Sequence, residues 1–430
     1  MLATERYLFV VYGGVLHQFD IDTLALRNKV SLESAPPTAG DRAGGNRTAG
    51  DRAVGGAAAG REVRAVPLPS KSAAAPEVPA PASVATMHEV VERALDWLAR
   101  HQDDDGKWDA DGFMKHDVEG EVCDGPGNAT HDVAVTGLAM LAMLSNGSTL
   151  RSGLHKQNLL SAMQWLRQQQ QDNGLFGANA AHDFIYDHAI ATYAMCEAYG
   201  RSKYQLLADS AQRGINYLES HRNPLGVWRY QPRDGDNDSS VTAWCLFACV
   251  SGDSYGLKVN PDSLQLGGLW LDQVSDPTGL HGYTKQGERS SRNQGDHATR
   301  FPVEKGEAIT AAALLCRYRL KQLPEQKPIM QAAANLLAAK PPSWRPDAGT
   351  IDEYYWYFAT LAMQQVGGRH WFDWQKRLEP AVAKTQHADQ AKQNLVGSWD
   401  PIGVWGENGG RVYSTALLAM TARAAMSQDR

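Results

Sequence analysis

From residue 87 onward, apolar residues recur at helical spacing in two alternating kinds of segment. The first kind, such as HEVVERALDWLARHQ from His88, carries charged side chains on one face, which is typical of an outer helix. The second kind is apolar almost all round, as expected for a helix packed on every side. Its six copies begin at His131, Tyr186, Asn237, Gly306, Asp352 and Arg411. The alternation therefore predicts six hairpins, each made of an outer and an inner helix.

A short phrase recurs where the first helix of each pair ends. Full copies are WLARHQDDDGKW from Trp97, WLRQQQQDNGLF from Trp165, YLESHRNPLGVW from Tyr217 and WLDQVSDPTGLH from Trp270, and shorter copies end at Trp344 and Trp399. Self-similarity at this spacing indicates one supersecondary unit stacked many times. An aromatic residue opens each full copy, and a glycine stands two residues before its end, where a positive-φ turn can end a helix. We interpret the phrase as structural.

The glutamines of the phrase have a structural interpretation as well. The last carbonyl groups of an α-helix have no partner within the helix and need one from elsewhere. We expect Gln102 and Gln169 to donate hydrogen bonds to these carbonyls.

These patterns predict an all-α fold, a single α/α toroid of six helical hairpins over residues 87–426. An open solenoid is the alternative, but neither end of the repeat array looks like a polar terminal cap. Residues 1–32 form a separate segment in which apolar and polar positions alternate from residue 5, which predicts two or three short antiparallel strands similar to one β-propeller repeat. Residues 33–86 are rich in Ala, Gly and Pro, which predicts a disordered, flexible linker.

Composition narrows the class of partner. The chain of 430 residues has a formal net charge of −6 and an isoelectric point near 6.1, so it lacks the basic character of a nucleic-acid-binding protein. No apolar run reaches the roughly 20 residues needed to span a bilayer, which predicts no transmembrane segment. The start has no signal-peptide pattern, so we expect a cytoplasmic protein unless the sequence is truncated at its N-terminus. The five cysteines are scattered and odd in number, which argues against a disulfide framework.

Two segments carry a resemblance to a known superfamily. Residues 95–108, LDWLARHQDDDGKW, resemble the QW motif of squalene–hopene and oxidosqualene cyclases, and GGRVYSTALLAM from Gly409 is similar to the last inner-helix entry of that group. The same terpenoid cyclase repeat superfamily includes the protein prenyltransferase β subunits. The resemblance covers about residues 87–426. It implies an α/α toroid and, if the chain is an enzyme, a terpene cyclase-like isomerase or lyase.

The resemblance also supplies chemical signatures that the sequence can be compared with. The cyclases protonate their substrate with an Asp-x-Asp-Asp motif at the start of an inner helix. The matching residues here are Asp236-Asn237-Asp238-Ser239, which place Asp238 at the proton-donating position and a serine where the last aspartate belongs. The motif is therefore only partly kept. The replacement matters because an acid of this kind needs a hydrogen-bonded neighbour to keep it protonated.

Two other signatures of related proteins are missing. Prenyltransferases bind zinc through an Asp-x-Cys pair and a later histidine, but no inner helix here begins with such a pair. Cys123 is the cysteine near a loop histidine, and one possible pair does not make a zinc site. We therefore predict no metal site and no cofactor. Thioester domains of the complement and α2-macroglobulin type need a Gly-Cys-Gly-Glu-Gln run, which the sequence lacks, so that chemistry is excluded.

Alignment of the six inner helices places polar residues at their first turns, and these should surround one mouth of a toroid. The candidate catalytic residues are Asp238, Asp236, Asp132, Asp187, His131 and His188. Capping of free N–H groups is the alternative explanation for each aspartate. The candidate ligand-binding residues are Tyr186, Trp244, Tyr354, Tyr357, Tyr413 and Arg411. Core packing is the alternative for the aromatic residues. The long segment 285–305 is predicted to be a lid or a solvated loop.

Three functions remain open at this stage. The first is a toroid that binds or converts an isoprenoid or another hydrophobic ligand in its central cavity, with Asp238 as the acid. The second is a non-catalytic toroid that binds a protein or a polymer. The third is a carbohydrate-active toroid that uses carboxylates at its rim. Fold alone does not decide among them, and oligomeric state is not given by the sequence.

Overall fold

The computed structural model describes residues 2–3, 7–12, 15–20, 26–31 and 85–426 of the chain. The chain divides into two units, residues 1–78 and 79–430. The first unit contains β1 (Leu2–Ala3), β2 (Tyr7–Tyr12), β3 (Val15–Asp20) and β4 (Leu26–Ser31), which pair antiparallel in that order. The two-residue β1 goes beyond the predicted two or three strands. The predicted linker, residues 33–86, lies outside the described residues except for its last two.

The described residues of the second unit form twelve long helices and one short one. The outer helices are α1 (Met87–Arg100), α3 (Lys156–Gln169), α5 (Ala208–His221), α7 (Pro261–Val274), α10 (Ile329–Ala338) and α12 (Gly368–Ala383). The inner helices are α2 (Asp132–Ser145), α4 (Phe184–Ser202), α6 (Ser239–Ser254), α9 (Ala308–Arg319), α11 (Glu353–Val366) and α13 (Gly406–Ala425). The short helix α8 (His297–Arg300) lies in the connection between α7 and α9.

The inner helices close into a complete circle. Each packs on the next in the order α2, α4, α6, α9, α11, α13, and α13 packs back on α2. The first outer helix, α1, contacts both α12 and α13 and so joins the last hairpin to the first. The predicted all-α toroid of six hairpins is therefore confirmed. In the part of the chain that the structure describes, no helix has the length and apolarity needed to cross a membrane.

The tryptophan that closes the phrase fastens the two helices of one hairpin together. Its indole N–H donates to a carbonyl in the last turns of the outer helix, and its backbone N–H donates to a threonine of the inner helix. Trp108 bonds to Leu98 and Thr136, Trp228 to Leu218 and Thr242, and Trp399 to Val382 and Thr415. These residues are fully buried, so the interpretation of the phrase as structural agrees with their contacts.

The glycine of the phrase joins one hairpin to the next. At Gly106, with φ of 105°, an added Cβ would lie 2.3 Å from the Ser161 carbonyl oxygen on α3. Gly174, with φ of 96°, approaches Arg213 on α5 at the same distance. Gly279 and Gly397 repeat the contact, against Ala332 on α10 and Arg93 on α1. Only glycine combines this backbone conformation with so close an approach, so the phrase also fastens the last hairpin to the first.

The glutamine of the phrase bridges the same two elements. Gln102 donates from Nε2 to the Gly106 carbonyl at 2.7 Å and to the Asn158 carbonyl on α3 at 3.0 Å. In the second copy these bonds come from Gln170, which reaches the carbonyls of Gly174 and Ser210. The expectation for Gln169 is therefore off by one residue, because Gln170 holds the position after Trp165 that Gln102 holds after Trp97.

Aromatic side chains of the inner helices α6 and α11 meet across the centre of the toroid. Trp244 of α6 and Phe358 of α11 have ring centroids 5.1 Å apart, and Phe247 stacks on Phe358 at 5.3 Å. Tyr354 and Tyr357 complete this aromatic plug against Phe358. The helix between α6 and α11 is α9, which has three alanines at positions 311–313, and their short side chains leave room for the rings. Trp244 and Tyr357 thus belong to the core.

Candidate functional site

The amino-terminal ends of the six inner helices meet at one mouth of the toroid, because each follows its outer helix through a loop at that end. In α13 this end is displaced: Gly410, with φ of 68°, interrupts the helix, so its regular part starts at Arg411. The residues at or next to these starts are His131, Asp187, Asp238, Glu307, Glu353 and Arg411. Their individual contacts decide which of them belong to a site.

Asp238 is the N-cap residue of α6 and is fully buried. Its Oδ1 accepts the Val241 backbone N–H at 2.7 Å, and its Oδ2 accepts the Tyr283 hydroxyl at 3.3 Å. Burial raises the pKa of Asp238 to about 7, against the opposing bonds from Val241 and Tyr283. Asp238 is therefore a carboxyl group that carries a proton for much of the time at neutral pH, and a tyrosine is its hydrogen-bonded neighbour.

Ser239, at the position of the missing aspartate, has a structural role. Its hydroxyl donates to the Gly282 carbonyl at 2.7 Å and accepts the indole N–H of Trp270 at 3.1 Å. Trp270 opens the fourth copy of the phrase, on α7. Ser239 thus joins α6 to the next hairpin. The side chain that bonds to Asp238 is instead Tyr283, through its hydroxyl.

Five tyrosines form a cluster across the mouth, which we call the tyrosine cluster: Tyr186, Tyr230, Tyr283, Tyr354 and Tyr413. The hydroxyls of Tyr230 and Tyr283 are 2.7 Å apart, and the rings of Tyr186 and Tyr230 have centroids 6.2 Å apart. The Tyr354 hydroxyl lies 3.1 Å from Ser240 Oγ. The Tyr413 hydroxyl has no hydrogen-bond partner among the described residues. The cluster therefore offers both aromatic faces and hydroxyl groups.

His131 and Asp187 form a pair at the edge of this cluster. His131 Nδ1 lies 3.0 Å from Asp187 Oδ1, and its Nε2 lies 3.7 Å from Asp183 Oδ2. Burial alone would lower the pKa of His131, but the hydrogen bond to Asp187 and the charges of Asp187 and Asp183 raise it above its ordinary value. The two side chains can exchange a proton, and the structure places both at the mouth.

Glu353 is a buried acid that was not among the candidate catalytic residues predicted from the sequence. It is fully buried at the first position of α11; its Oε1 accepts the Ser414 hydroxyl at 3.2 Å, and its Oε2 has no partner among the described residues. Burial raises the pKa of Glu353 to about 7. The alignment placed Asp352 and Glu353 near the mouth, but a capping aspartate next to a glutamate gives no sign that the second carboxyl is unpaired.

Three candidate catalytic residues have side chains that are held by other contacts. Asp236 is on the surface, with 73% of its side chain exposed, and pairs with Arg229. Asp132 accepts Lys107 Nζ at 2.6 Å and the Ala110 backbone N–H at 2.9 Å, so it holds the first hairpin loop. Both carboxylates are therefore engaged by residues of their own loops.

His188 is the third of these. Its ring is fully buried, Nδ1 accepts the Phe176 backbone N–H at 3.0 Å, and Nε2 lies 3.1 Å from the Gly214 carbonyl on α5. Burial lowers the pKa of His188 to about 3, so the ring stays neutral. His188 therefore fixes the second phrase to the third hairpin instead of serving as a proton donor.

Arg411, a candidate ligand-binding residue, also has a structural role. Its guanidinium bonds to Asp124 at 2.9 Å, Asp400 at 2.8 Å and the Ser398 hydroxyl at 3.1 Å, and the side chain is 1% exposed. Asp124 belongs to the first hairpin, whereas Asp400 and Ser398 precede the last inner helix. Arg411 thus fastens the seam between the last hairpin and the first.

The segment 285–305 is anchored along the same end of the molecule. His297 Nε2 lies 2.8 Å from the Val404 carbonyl, Asn293 bonds to Asn408 at 3.0 Å, and Arg300 pairs with Glu407 at 2.6 Å. The segment therefore reaches from the fourth hairpin to the start of α13 and the loop before it. We call it the strap.

Comparison with known proteins finds similarity to several groups. A family model described as the A-macroglobulin TED domain matches residues 80–239, less than half of the chain. Thioester-containing protein 1 allele R1 of Anopheles gambiae is 26% identical over 223 residues, which are 50% of this chain and 15% of that protein. The chain thus spans about 15% of the length of this curated relative. The Gly-Cys-Gly-Glu-Gln run remains absent from the sequence.

Solved structures show the same fold at low sequence identity. An unsaturated glucuronyl hydrolase specific for heparin superimposes with a TM-score of 0.54 at 11% identity, covering 79% of this chain and 96% of that one. The GH76A α-1,6-mannanase from Salegentibacter sp. HEL1_6 gives a TM-score of 0.53 at 14% identity, covering 79% and 98%. These likenesses establish the α/α toroid. The finer assignment to squalene cyclases, made from the QW-like phrase, is not established by them.

Proposed function

We propose that the toroid is a binding domain whose mouth at the inner-helix amino termini holds a hydroxyl-rich ligand of the saccharide class. The observation that carries the proposal is the aromatic plug. Trp244, Phe247 and Phe358 pack against one another in the centre, which is where the isoprenoid hypothesis puts its ligand. The remaining place for a ligand is therefore the mouth, where the tyrosine cluster is located.

The chemistry of the mouth supports a saccharide over an apolar ligand. Sugar rings combine apolar C–H faces with many hydroxyl groups, and sites for them combine aromatic faces with a few placed polar groups. The mouth supplies Tyr186 and Tyr230 as partly buried rings, with the His182 ring centroid 4.4 Å from that of Tyr230. Ser240 and Asp183 add polar groups that remain partly exposed. The two enzymes compared above have saccharide substrates in their names, although they share only the fold with this chain.

Binding of soluble oligosaccharides to the full chain tests the proposal. A panel of mannan, heparin and glucuronate oligosaccharides would be titrated by calorimetry, and any ligand found would be retested with Tyr230→Phe and Tyr186→Phe, which keep the ring and lose the hydroxyl. We expect each change to weaken binding about tenfold, the effect of one lost hydrogen bond. Tyr204→Phe, at the opposite end of the toroid, is the matched control. Absence of binding across the panel, or equal binding by all three variants, contradicts the proposal.

One observation favours a second candidate function, acid-catalysed conversion of an isoprenoid. Asp238 is a buried carboxyl group with a pKa of about 7, bonded to Tyr283, which are the properties of a proton donor to an alkene. Incubation of the protein with squalene or prenyl diphosphates and mass spectrometry of the products tests it. Product that is lost in Asp238→Asn, which keeps an oxygen to cap α6, supports this function. No product from the unchanged protein rules it out.

A further inference from the structure

Three side chains with metal-binding atoms converge at the end of α1, outside the mouth described above. His101 follows the last residue of α1, and Asp117 and Cys123 lie in the loop of the first hairpin. One ligand atom of each, a ring nitrogen, a carboxylate oxygen and the sulfur, lies within 4.8 Å of the other two. His101 is 2% exposed and Cys123 is fully buried. The cluster is thus a buried set of nitrogen, oxygen and sulfur donors.

The hydrogen bonding of His101 aims a free nitrogen at Asp117. His101 Nδ1 lies 2.8 Å from the Trp97 carbonyl oxygen. Because a carbonyl oxygen only accepts, Nδ1 carries the proton, and Nε2 of the neutral ring is left with its lone pair. Nε2 faces Asp117 Oδ1 at 3.5 Å, and neither atom has a hydrogen-bond partner among the described residues. Two acceptors pointing at each other inside a protein call for a cation between them.

The separation of these atoms fits a metal better than a proton. A charged N–H···O bond would bring nitrogen and oxygen to about 2.8 Å. In a tetrahedral zinc site with bonds of about 2.1 Å, the edge between two such ligands is about 3.4 Å. The observed 3.5 Å matches the second geometry. The Nδ1–H bond to a backbone carbonyl is also the arrangement that commonly orients a metal-binding histidine.

The surroundings orient Asp117 and set the charge of the cluster. Asp117 Oδ2 accepts the Cys123 backbone N–H at 2.7 Å, which turns Oδ1 toward His101. One carboxylate, one thiolate and a neutral imidazole together balance the charge of a divalent ion, so the occupied site can be buried. Arg411, the nearby cation, is itself bonded to Asp124 and Asp400. We propose that His101, Asp117 and Cys123 bind a divalent transition metal of the Zn²⁺ class, which holds the loop of the first hairpin against α1.

The location indicates a structural role for the metal at the seam of the toroid. The same loop bonds to the last hairpin through the Val118 backbone N–H and carbonyl oxygen with Asn394, and through the Gly125 carbonyl oxygen with the Arg411 backbone N–H. Trp97, stacked on His101 with centroids 4.1 Å apart, donates its indole N–H to the Asn394 carbonyl. A metal here stabilises the contact by which the first and last hairpins meet. The site lies at the end of an outer helix, away from the inner-helix position of the prenyltransferase zinc motif.

Metal content and cobalt spectroscopy of the full chain, purified without a histidine tag, test the inference. We expect one equivalent of metal per chain by elemental analysis and a thiolate-to-cobalt absorption band when Co²⁺ replaces it. The band should disappear in Cys123→Ser and persist in Cys316→Ser, a buried cysteine on α9 that serves as the control. Zn²⁺ should raise the Tm of the metal-free protein by a few degrees. Lack of a thiolate band in the unchanged protein overturns the inference whether or not the variants fold.

A second variant keeps the test clear if Cys123→Ser is unstable. Asp117→Asn retains an oxygen for the Cys123 N–H and removes only the charge. We expect it to remain folded and to bind Zn²⁺ at least about tenfold more weakly than the unchanged protein. Unchanged affinity in a folded Asp117→Asn variant overturns the assignment of Asp117 as a ligand.

Discussion

The two ends of the toroid are built from the same inner helices but differ in how their polar groups are satisfied. At the carboxyl-terminal end, Glu197 is buried and bonded to Arg201, Ser251 and Tyr255. At the amino-terminal end, Glu353 is equally buried and leaves one carboxylate oxygen without a partner among the described residues. The buried carboxylate at the carboxyl-terminal end is thus fully hydrogen-bonded, whereas the one at the amino-terminal end keeps an oxygen that can still accept a hydrogen bond.

The connecting segments explain this difference. At the amino-terminal end the helices are joined by residues 101–131, 170–183, 222–238, 275–307, 339–352 and 384–405. At the opposite end they are joined by residues 146–155, 203–207, 255–260, 320–328 and 367. Short connections bring neighbouring helix ends directly together, whereas long ones add side chains such as Tyr230 and Tyr283 that helix packing does not require. Function on such a scaffold is expected at the end with the long loops.

The largest expected effect comes from the seam at the amino-terminal end. Arg411→Ala removes a fully buried guanidinium from Asp124, Asp400 and Ser398, and we expect the free energy of unfolding to fall by about 3 kcal/mol. Arg201→Ala at the opposite end removes a partly exposed partner of Glu197 and should cost about 1 kcal/mol. Urea denaturation followed by circular dichroism measures both. Equal losses in the free energy of unfolding would show that Arg411 stabilises the protein no more than an ordinary ion pair does.

The second prediction concerns pH. Burial raises the pKa of Glu353 from its ordinary value of 4.5 to about 7, so the folded protein holds this proton more tightly than the unfolded chain. Stability from this group is therefore fully present below pH 4.5 and is lost as the pH rises toward 7, by up to about 3 kcal/mol. Glu353→Gln should flatten this part of the stability curve, measured by urea unfolding at several pH values. Glu197→Gln is the control, and an unchanged slope in Glu353→Gln would contradict the assignment.

The third prediction compares two glycines with positive φ. Gly174→Ala, in the phrase, combines backbone strain with a clash against the Arg213 carbonyl and should cost about 2 kcal/mol or more. Gly256→Ala follows α6 at the opposite end, with φ of 85° and open space around it, and should cost only the strain, about 1 kcal/mol. Thermal unfolding of both variants gives the comparison. A smaller loss for Gly174→Ala would mean that the phrase does not fasten neighbouring hairpins.

The smallest expected effect is on the strap. Arg300 and Glu407 form a pair in which both side chains are about half exposed, so Arg300→Ala should lower the stability by less than about 0.5 kcal/mol. Limited proteolysis of the strap should nevertheless become faster, because the pair anchors it to the last hairpin. His297→Ala removes a buried anchor and serves as the stronger comparison. Identical cleavage rates in all three proteins would show that neither contact holds the strap.

Prediction from the sequence worked best where the signal was local. The alternation of amphipathic and uniformly apolar segments identified every inner helix, because each helix needs a face that matches its surroundings. The position of Asp238 at the start of α6 followed from the same register, since capping depends on the adjacent backbone. The same register also identifies Gln170, which follows Trp165 at the spacing by which Gln102 follows Trp97, so the expectation for Gln169 was one residue out of register.

The site was harder to predict, because contacts with loop residues determine which first-turn side chains are free to face the mouth. Asp132, His188 and Arg411 occupy first-turn positions, like Asp238, yet their partners are loop atoms and side chains far away in the sequence. Tyr230 and Tyr283 lie in loops without periodicity, and no pattern distinguished them from other tyrosines. The cluster of His101, Asp117 and Cys123 lacked any spacing typical of a metal motif.

By itself, then, the sequence determined the number of hairpins, the assignment of inner and outer helices, and the glycine and tryptophan that join them. These follow from periodicity and from backbone restrictions, which act over a few residues. Only the tertiary structure decided that aromatic rings of α6 and α11 meet across the centre, that the tyrosines gather at one mouth and that His101, Asp117 and Cys123 meet at the seam. These depend on how long loops pack against distant elements, and on which buried polar groups find a partner there.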